Sequence, residues 1–231
     1  MSNFYYIDRS KVSFEDFIAS PEIKSHLMAF LHEQQFKHLF DEYKIPVSNK
    51  LLLYGDSGCG KTMTAKVIAN HLNKKLMIVN LATIISSKLG ETAKNLDLLF
   101  KESQYESIVL LLDEFDSLGQ IRDYDNKDNS EMKRVVNAII QLMDYFPQKS
   151  ILIAATNQVH MIDEALKRRF EWQISYEKPS NDLLDDLYDT LQIPIPEKYL
   201  PKERKYQVSY AEAKDFFYKQ VKQNIINEQL S

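Results

Sequence analysis

The apolar positions of this chain fall into short unbroken runs separated by longer stretches of helical spacing. The runs Lys50–Gly55 ("KLLLYG"), Leu76–Leu81, Ile108–Phe115 and Ile151–Thr156 lack the polar alternation of a half-solvated strand, and a shorter strand is expected at Trp172–Tyr176. Runs of this kind predict strands buried on both faces. Between them the spacing turns to about 3.6 residues, predicting helices at Lys61–Asn73, Glu91–Gln104, Ser130–Tyr145 and Asp163–Arg169. Upstream, Ser20-Pro21 supplies an N-cap and a first-turn proline, and an amphipathic pattern follows through Leu27, Phe30, Leu31 and Phe36 to about Tyr43. Strands alternating with helices indicate a parallel sheet between two helical layers, an α/β three-layer sandwich. After Pro179 the strand runs cease. Two helical patterns remain, Asn181–Leu191 and Ser209–Asn227, around a connector with Pro194, Pro196 and Pro201. Residues 1–179 therefore read as one domain with a helical lead-in. Residues 180–231 read as a small helical satellite, too short for much of a core of its own.

Composition narrows the function. The chain has 231 residues, 44% of them hydrophobic, and a formal net charge of −4, which argues against a global electrostatic nucleic-acid binder. The single cysteine, Cys59, excludes an internal disulfide and suits a reducing compartment. The N-terminal stretch "MSNFYYIDRSK" lacks a signal-peptide core, and the longest strongly apolar run, Ile108–Leu112, is far too short to span a bilayer. These features predict a soluble cytoplasmic protein. Glycine usage is more specific. Of only five glycines, three (Gly55, Gly58 and Gly60) fall within one short segment, where unusual backbone geometry is needed.

That segment, "GDSGCGKT" (Gly55–Thr62), fits G-x-x-x-x-G-K-[ST] and lies between a predicted strand and a predicted helix, as a phosphate loop requires. Backbone N–H groups there curl around phosphates at the positive end of a helix. Lys61 would reach the β- and γ-phosphates and the Thr62 hydroxyl would ligate Mg²⁺. A second piece, "SIVLLLDEFDS" (Ser107–Ser117), delivers Asp113 and Glu114 at a strand's C-terminal end, where open α/β sheets bind ligands. Asp113 suits a magnesium shell, and Glu114 suits polarising a water for attack on the γ-phosphate. Asp116 fits a helix N-cap as well as a catalytic role. A third strand, "ILIAATN", ends in Asn157, whose amide either orients that water or caps the following turn. Cys59, in a phosphate loop at a helix N-terminus, is expected to be a reactive thiol.

Together these pieces resemble the AAA+ ATPases, and within them the AAA subgroup that remodels or unfolds proteins. The matching segments are "KLLLYGDSGCGKT" (Walker A), "IVLLLDEFDS" (Walker B), "ILIAATN" (sensor 1) and "MIDEALKRRF", the arginine-bearing end of the second region of homology. "FEDFIASPEIKSHL" resembles the segment before the loop, whose backbone near Ile18 and Ala19 would touch adenine. The resemblance covers Phe14 to Tyr176. It implies a P-loop fold with a five-stranded parallel sheet followed by a helical lid. It places ATP on Gly55, Asp56, Ser57, Gly58, Cys59, Gly60, Lys61, Thr62 and Met63, with Mg²⁺ on Thr62 and Asp113. Hydrolysis is assigned to Glu114 and Asn157. It also implies a homo-oligomeric, usually hexameric, ring in which Arg168 and Arg169 point at a neighbour's γ-phosphate.

Two features depart from that pattern. In "SSKLGETAKN" (Ser86–Asn95), Lys88 stands where threading relatives carry a pore-facing aromatic residue, which predicts weak threading. The sequence ahead of Phe14 is too short for the usual adaptor domain, so a partner protein is expected to supply specificity. A GTPase is disfavoured, because "TNQV" occupies the place of a guanine-reading N-K-x-D, and the histidines lack zinc-binding spacing. The leading expectation is an ATP-driven remodeller of a protein partner. The alternatives are a nucleic-acid loader or transposition helper, and an ATP-gated assembly scaffold.

Overall fold

The computed structural model describes residues 5–86, 89–120 and 128–230. Its centre is a six-stranded sheet in the order β1-β3-β4-β5-β2-β6. The strands are β1 (Tyr6–Asp8), β2 (Lys50–Gly55), β3 (Lys75–Asn80), β4 (Ile108–Asp113), β5 (Ile151–Thr156) and β6 (Trp172–Tyr176). Strands β2 to β6 run parallel, and β1 adds an antiparallel edge on β3. The sheet thus has one strand more than expected. Strand β1 is too short to show a period; tertiary contacts hold it, including the Asp8–Lys66 ion pair at 3.0 Å.

The unbroken apolar runs have a direct cause. In β2, Leu51 and Leu53 join the hydrophobic cluster on one face of the sheet, and Leu52 joins the cluster on the other. In β4, Val109 and Leu111 divide from Leu110 and Leu112 in the same way. Both faces are dry, so neither strand register tolerates a polar residue. Burying each such leucine is worth roughly 1.5–3 kcal/mol.

The helices are α1 (Pro21–Gln35), α2 (Lys37–Glu42), α3 (Lys61–His71), α4 (Leu81–Ser86), α5 (Leu89–Tyr105), α6 (Ser117–Gln120), α7 (Asp128–Asp144), α8 (Glu164–Lys167), α9 (Asn181–Gln192) and α10 (Tyr210–Leu230). The single helix expected from Pro21 to Tyr43 breaks at Phe36. Beyond it, α2 buries no side chain, so nothing holds the chain on the α1 axis. The short helices α4 and α6 give no legible period in the sequence. Lys88, the departure from the pore-loop pattern, lies outside the described residues.

Helices α9 and α10 share a small cluster of their own, in which Leu184, Tyr188 and Leu191 pack with Phe217 and Val221. Arg204 reinforces it by donating to Asp185 and Asp189 while lying over the Tyr188 ring. Among the described residues, no helix is long and apolar enough to cross a membrane.

Candidate functional site

The C-terminal ends of β4, β5 and β2 lie side by side, and the segments identified above as Walker A, Walker B and sensor 1 follow those strands onto that edge. Strand β2 ends in Gly55, which has φ +125°. A Cβ there would stand 2.0 Å from the Tyr176 carbonyl oxygen, so only glycine lets β6 close on the loop. Gly58, at φ +72°, is restricted by the segment that opens α10. A Cβ would meet Ala211 Cβ and Ser209 Oγ at 2.8 Å, and the Gly58 carbonyl accepts the Ala211 N–H at 3.2 Å. The loop then enters α3 through Gly60.

Lys61, the first residue of α3, is buried at 8% exposure. Its ammonium donates to the carbonyls of Gly55 (2.7 Å) and Asp56 (2.8 Å) and to Asn157 Oδ1 (2.7 Å). All three acceptors are neutral, so the charge is held by dipoles rather than by a salt bridge. Burial pushes its pKa down, and the nearby Asp113, Asp56 and Asp116 only partly oppose that. Strand end β2 is thereby tied to strand end β5.

Asp113 ends β4 half-buried, and burial raises its carboxyl above the usual range. Its Oδ1 accepts the Glu114 N–H at 2.9 Å. Glu114 itself has φ +53°, a left-handed conformation for a residue with a side chain, and its side chain is exposed. Such strain costs on the order of 1–3 kcal/mol and concentrates where function requires it. Asp116, left open between capping and catalysis by its spacing, directly precedes α6 and accepts the Thr156 hydroxyl at 2.7 Å, while that oxygen accepts Gln158 N–H at 2.9 Å. The Phe115 N–H donates to the Ala155 carbonyl at 2.9 Å. The acidic strand end and the Asn157 strand end are thus fixed to each other.

A cavity of about 240 Å³ opens beside the loop, lined by Ile18 and Met63 and, from α9 and α10, by Leu187, Tyr210, Ala211 and Lys214. Ala19 is buried in the core and does not line it. The four residues from α9 and α10 had no signal in the sequence, because their membership depends on how those helices fold back. A larger groove of about 570 Å³, between Lys11–Asp16 and the end of α3, holds none of the motif residues.

Cys59 does not meet the expectation of a reactive thiol. Its side chain turns into the core, 3% exposed, with Sγ 3.6 Å from the Ser57 carbonyl. Burial, then the nearby Asp56, pushes the thiol pKa up against the opposing pull of Lys61 and Lys178. The helix end that would stabilise a thiolate is outweighed by desolvation.

The arginine pair divides. Arg169 is tied within its own chain, with Nε and Nη2 on the two Asp144 oxygens (2.9 and 3.2 Å) and Nη1 on the Ala165 carbonyl (2.6 Å). Arg168 has its side chain 77% exposed, and its ion pair is a loose 3.9 Å approach to Glu164.

The family profile described as ATPase family associated with various cellular activities (AAA) matches residues 51–178. The chain belongs to the AAA family. An uncharacterised AAA family ATPase of Sinorhizobium fredii is 39% identical over 138 residues, covering 60% of the AAA chain and 42% of the relative. A putative 26S proteasome regulatory subunit homologue of Methanocaldococcus jannaschii is 28% identical over 199 residues, covering 84% of the chain and 52% of the relative. The AAA chain thus spans about half of the length of these relatives. The crystal structure of the FIGL-1 AAA domain superposes with a TM-score of 0.68 at 20% identity, over 84% of this chain and 64% of that one, and shares its fold.

Proposed function

We propose that this AAA chain binds ATP with Mg²⁺ at the β4-β5-β2 edge and hydrolyses it. In this reading it works as a cytoplasmic homo-oligomeric ring that remodels a protein partner. The observation that carries the proposal is the convergence of Lys61, Asp113, Glu114 and Asn157 on one sheet edge, with Arg168 turned outward to solvent.

The donor set suits a nucleotide. Gly55, Gly58 and Gly60 give the loop the left-handed backbone in which its N–H groups can curl around phosphates. The Lys61 ammonium lies beside them with only neutral partners, and it attracts phosphate charge strongly because it is buried. Among the described residues no group of three or more His, Cys, Asp or Glu side chains holds a metal alone. Thr62 and Asp113 therefore fit an ion shared with the phosphates, which neutralises charge on the transferring group. Glu114, strained outward at the strand end, accepts a proton from the attacking water. Asn157 holds the Lys61 head in register and presents its amide to the same space. The cavity against Ile18, Met63 and the lid accommodates the base.

Among the described residues Arg168 has only the loose approach to Glu164, which suits service to a neighbour's γ-phosphate; Arg169 suits holding the end of α8 in place. Residues 180–231 act as the lid. The similarity over 84% of this chain to a putative 26S proteasome regulatory subunit homologue supports a protein rather than a nucleic acid as the target.

The test is a Glu114→Gln protein with ATP and Mg²⁺. Phosphate release should stop while binding persists, and the arrested assembly should retain its partner for identification by pull-down and mass spectrometry. ATP turnover at the parent rate would remove Glu114 from the mechanism. A protein that stays monomeric with bound ATP would remove the shared site.

A further inference from the structure

Tyr176 is the last residue of β6, and Glu177 to Ser180 then lead directly into α9 of the lid. It touches the phosphate loop in two independent ways. Its carbonyl accepts the Asp56 N–H at 2.9 Å and abuts Gly55 so closely that a Cβ there would clash. Its ring runs beneath the loop, and its hydroxyl lies 2.6 Å from Thr64 Oγ1 with both residues fully buried. Thr64 in turn donates to the Gly60 carbonyl at 3.2 Å. A threonine hydroxyl has one proton, so the tyrosine must be the donor to it. The result is a relay from Tyr176 Oη through Thr64 Oγ1 to the carbonyl of Gly60, the left-handed residue that caps α3.

A phenylalanine would fill this site equally well if packing were its only purpose. The buried hydroxyl instead fixes the residue where sheet becomes hinge to the residue where loop becomes helix. Beyond the hinge, the Ala211 N–H holds the same loop at Gly58. The loop is therefore held both by the end of β6 and by the start of α10.

We propose that Tyr176 is a positioning residue whose hydroxyl, through Thr64, couples the conformation of the phosphate loop to the hinge of the lid and so sets nucleotide affinity. This rests on the ATP-binding reading given above. Nucleotide on the loop would thereby tighten the hinge, and a displaced lid would loosen the Gly60 corner. Burial pushes the Tyr176 phenol pKa up, so the donor stays protonated through the working range.

Tyr176→Phe deletes the donor alone. Titration with ATP and Mg²⁺ should give about tenfold weaker binding, the size of one buried hydrogen bond. Thr64→Val should lose the same amount, and the double variant no more than either single one, because both break one chain. Thr64→Ser, which keeps the hydroxyl, should bind as the parent does. Hydrogen exchange across residues 177–192 should slow on adding ATP to the parent and to Thr64→Ser, and change less in the other variants. A Tyr176→Phe protein with a lowered Tm but parental affinity and parental ATP-induced protection would reduce the tyrosine to packing and overturn the coupling. Should Tyr176→Phe fail to fold, the contrast between Thr64→Val and Thr64→Ser decides alone, equal affinities overturning it. If the parent protein itself binds no ATP, the nucleotide reading fails before any variant is made, and the coupling fails with it.

Discussion

The two halves of the proposed ATP site are built in opposite ways. The phosphate-loop half is closed on itself: Lys61 is buried and makes three bonds to neutral oxygens, Gly55 is walled in by β6, and Gly58 by the lid. The arginine half is open, with Arg168 extended into solvent from the end of a four-residue helix. Burial pre-positions a charge and strengthens its field. Exposure leaves a long cationic side chain accessible to a neighbouring chain. Arg169 marks the boundary between the two styles, since it neighbours Arg168 yet is spent on Asp144 and the Ala165 carbonyl. Adjacent arginines of identical chemistry are thus distinguished only by what surrounds them.

That contrast can be broken from either side. The largest effect is expected at the closed half, where Lys61→Ala should abolish detectable ATP binding in a titration, because nothing else on the loop carries charge to the phosphates. Arg168→Ala should retain binding and lose about 10³-fold in turnover, the scale of an arginine that stabilises a transferring phosphoryl group. The two inactive proteins, mixed after subunit exchange has been verified with labelled chains, should partly recover hydrolysis, since some boundaries then join an intact loop to an intact arginine. No recovery at any ratio would falsify the shared-site reading. Glu114→Gln should cost about 10²-fold in turnover, roughly 3 kcal/mol of barrier, with binding kept.

Smaller effects sharpen the difference within the pair. Arg169→Ala should lower stability by about 1 kcal/mol or less, since its ion pair with Asp144 is partly exposed. For a chain of this size that is a Tm shift of about 2–4 °C. Asp144→Ala should match it, and the double variant should add little. A turnover loss for Arg169→Ala as large as that for Arg168→Ala would erase the distinction drawn between them. Smallest of all, alkylation of native Cys59 should be slow and become complete only on unfolding, which thiol labelling with mass detection would follow. Fast labelling of the folded protein would return Cys59 to the reactive class.

Much of this molecule is legible in its sequence because the signals are local or periodic. Strands β2 and β5 begin and end where their apolar runs do, since burial on both faces leaves no room for polar residues. The loop announces itself because left-handed backbone at Gly55, Gly58 and Gly60 restricts residue choice strongly. Asp113, Glu114 and Asn157 are readable because they end or directly follow the apolar runs of β4 and β5, and strand ends of a parallel sheet share one edge.

What the tertiary structure alone decided concerns contacts between segments far apart in sequence. The short strand β1 exists because β3 offers it an edge, whereas its own pattern is silent. Asp116 serves Thr156, and Tyr176 serves Thr64, across separations no local spacing encodes. Cys59 follows a helix-end rule in sequence and violates it in space, because burial depends on what packs over the loop. Arg168 and Arg169 are alike as letters; Asp144, brought to the end of α8 by the packing of α7, separates them. Residue type and period set which chemistry is available, and long-range packing sets the solvent exposure and partners that decide which copy of that chemistry is used.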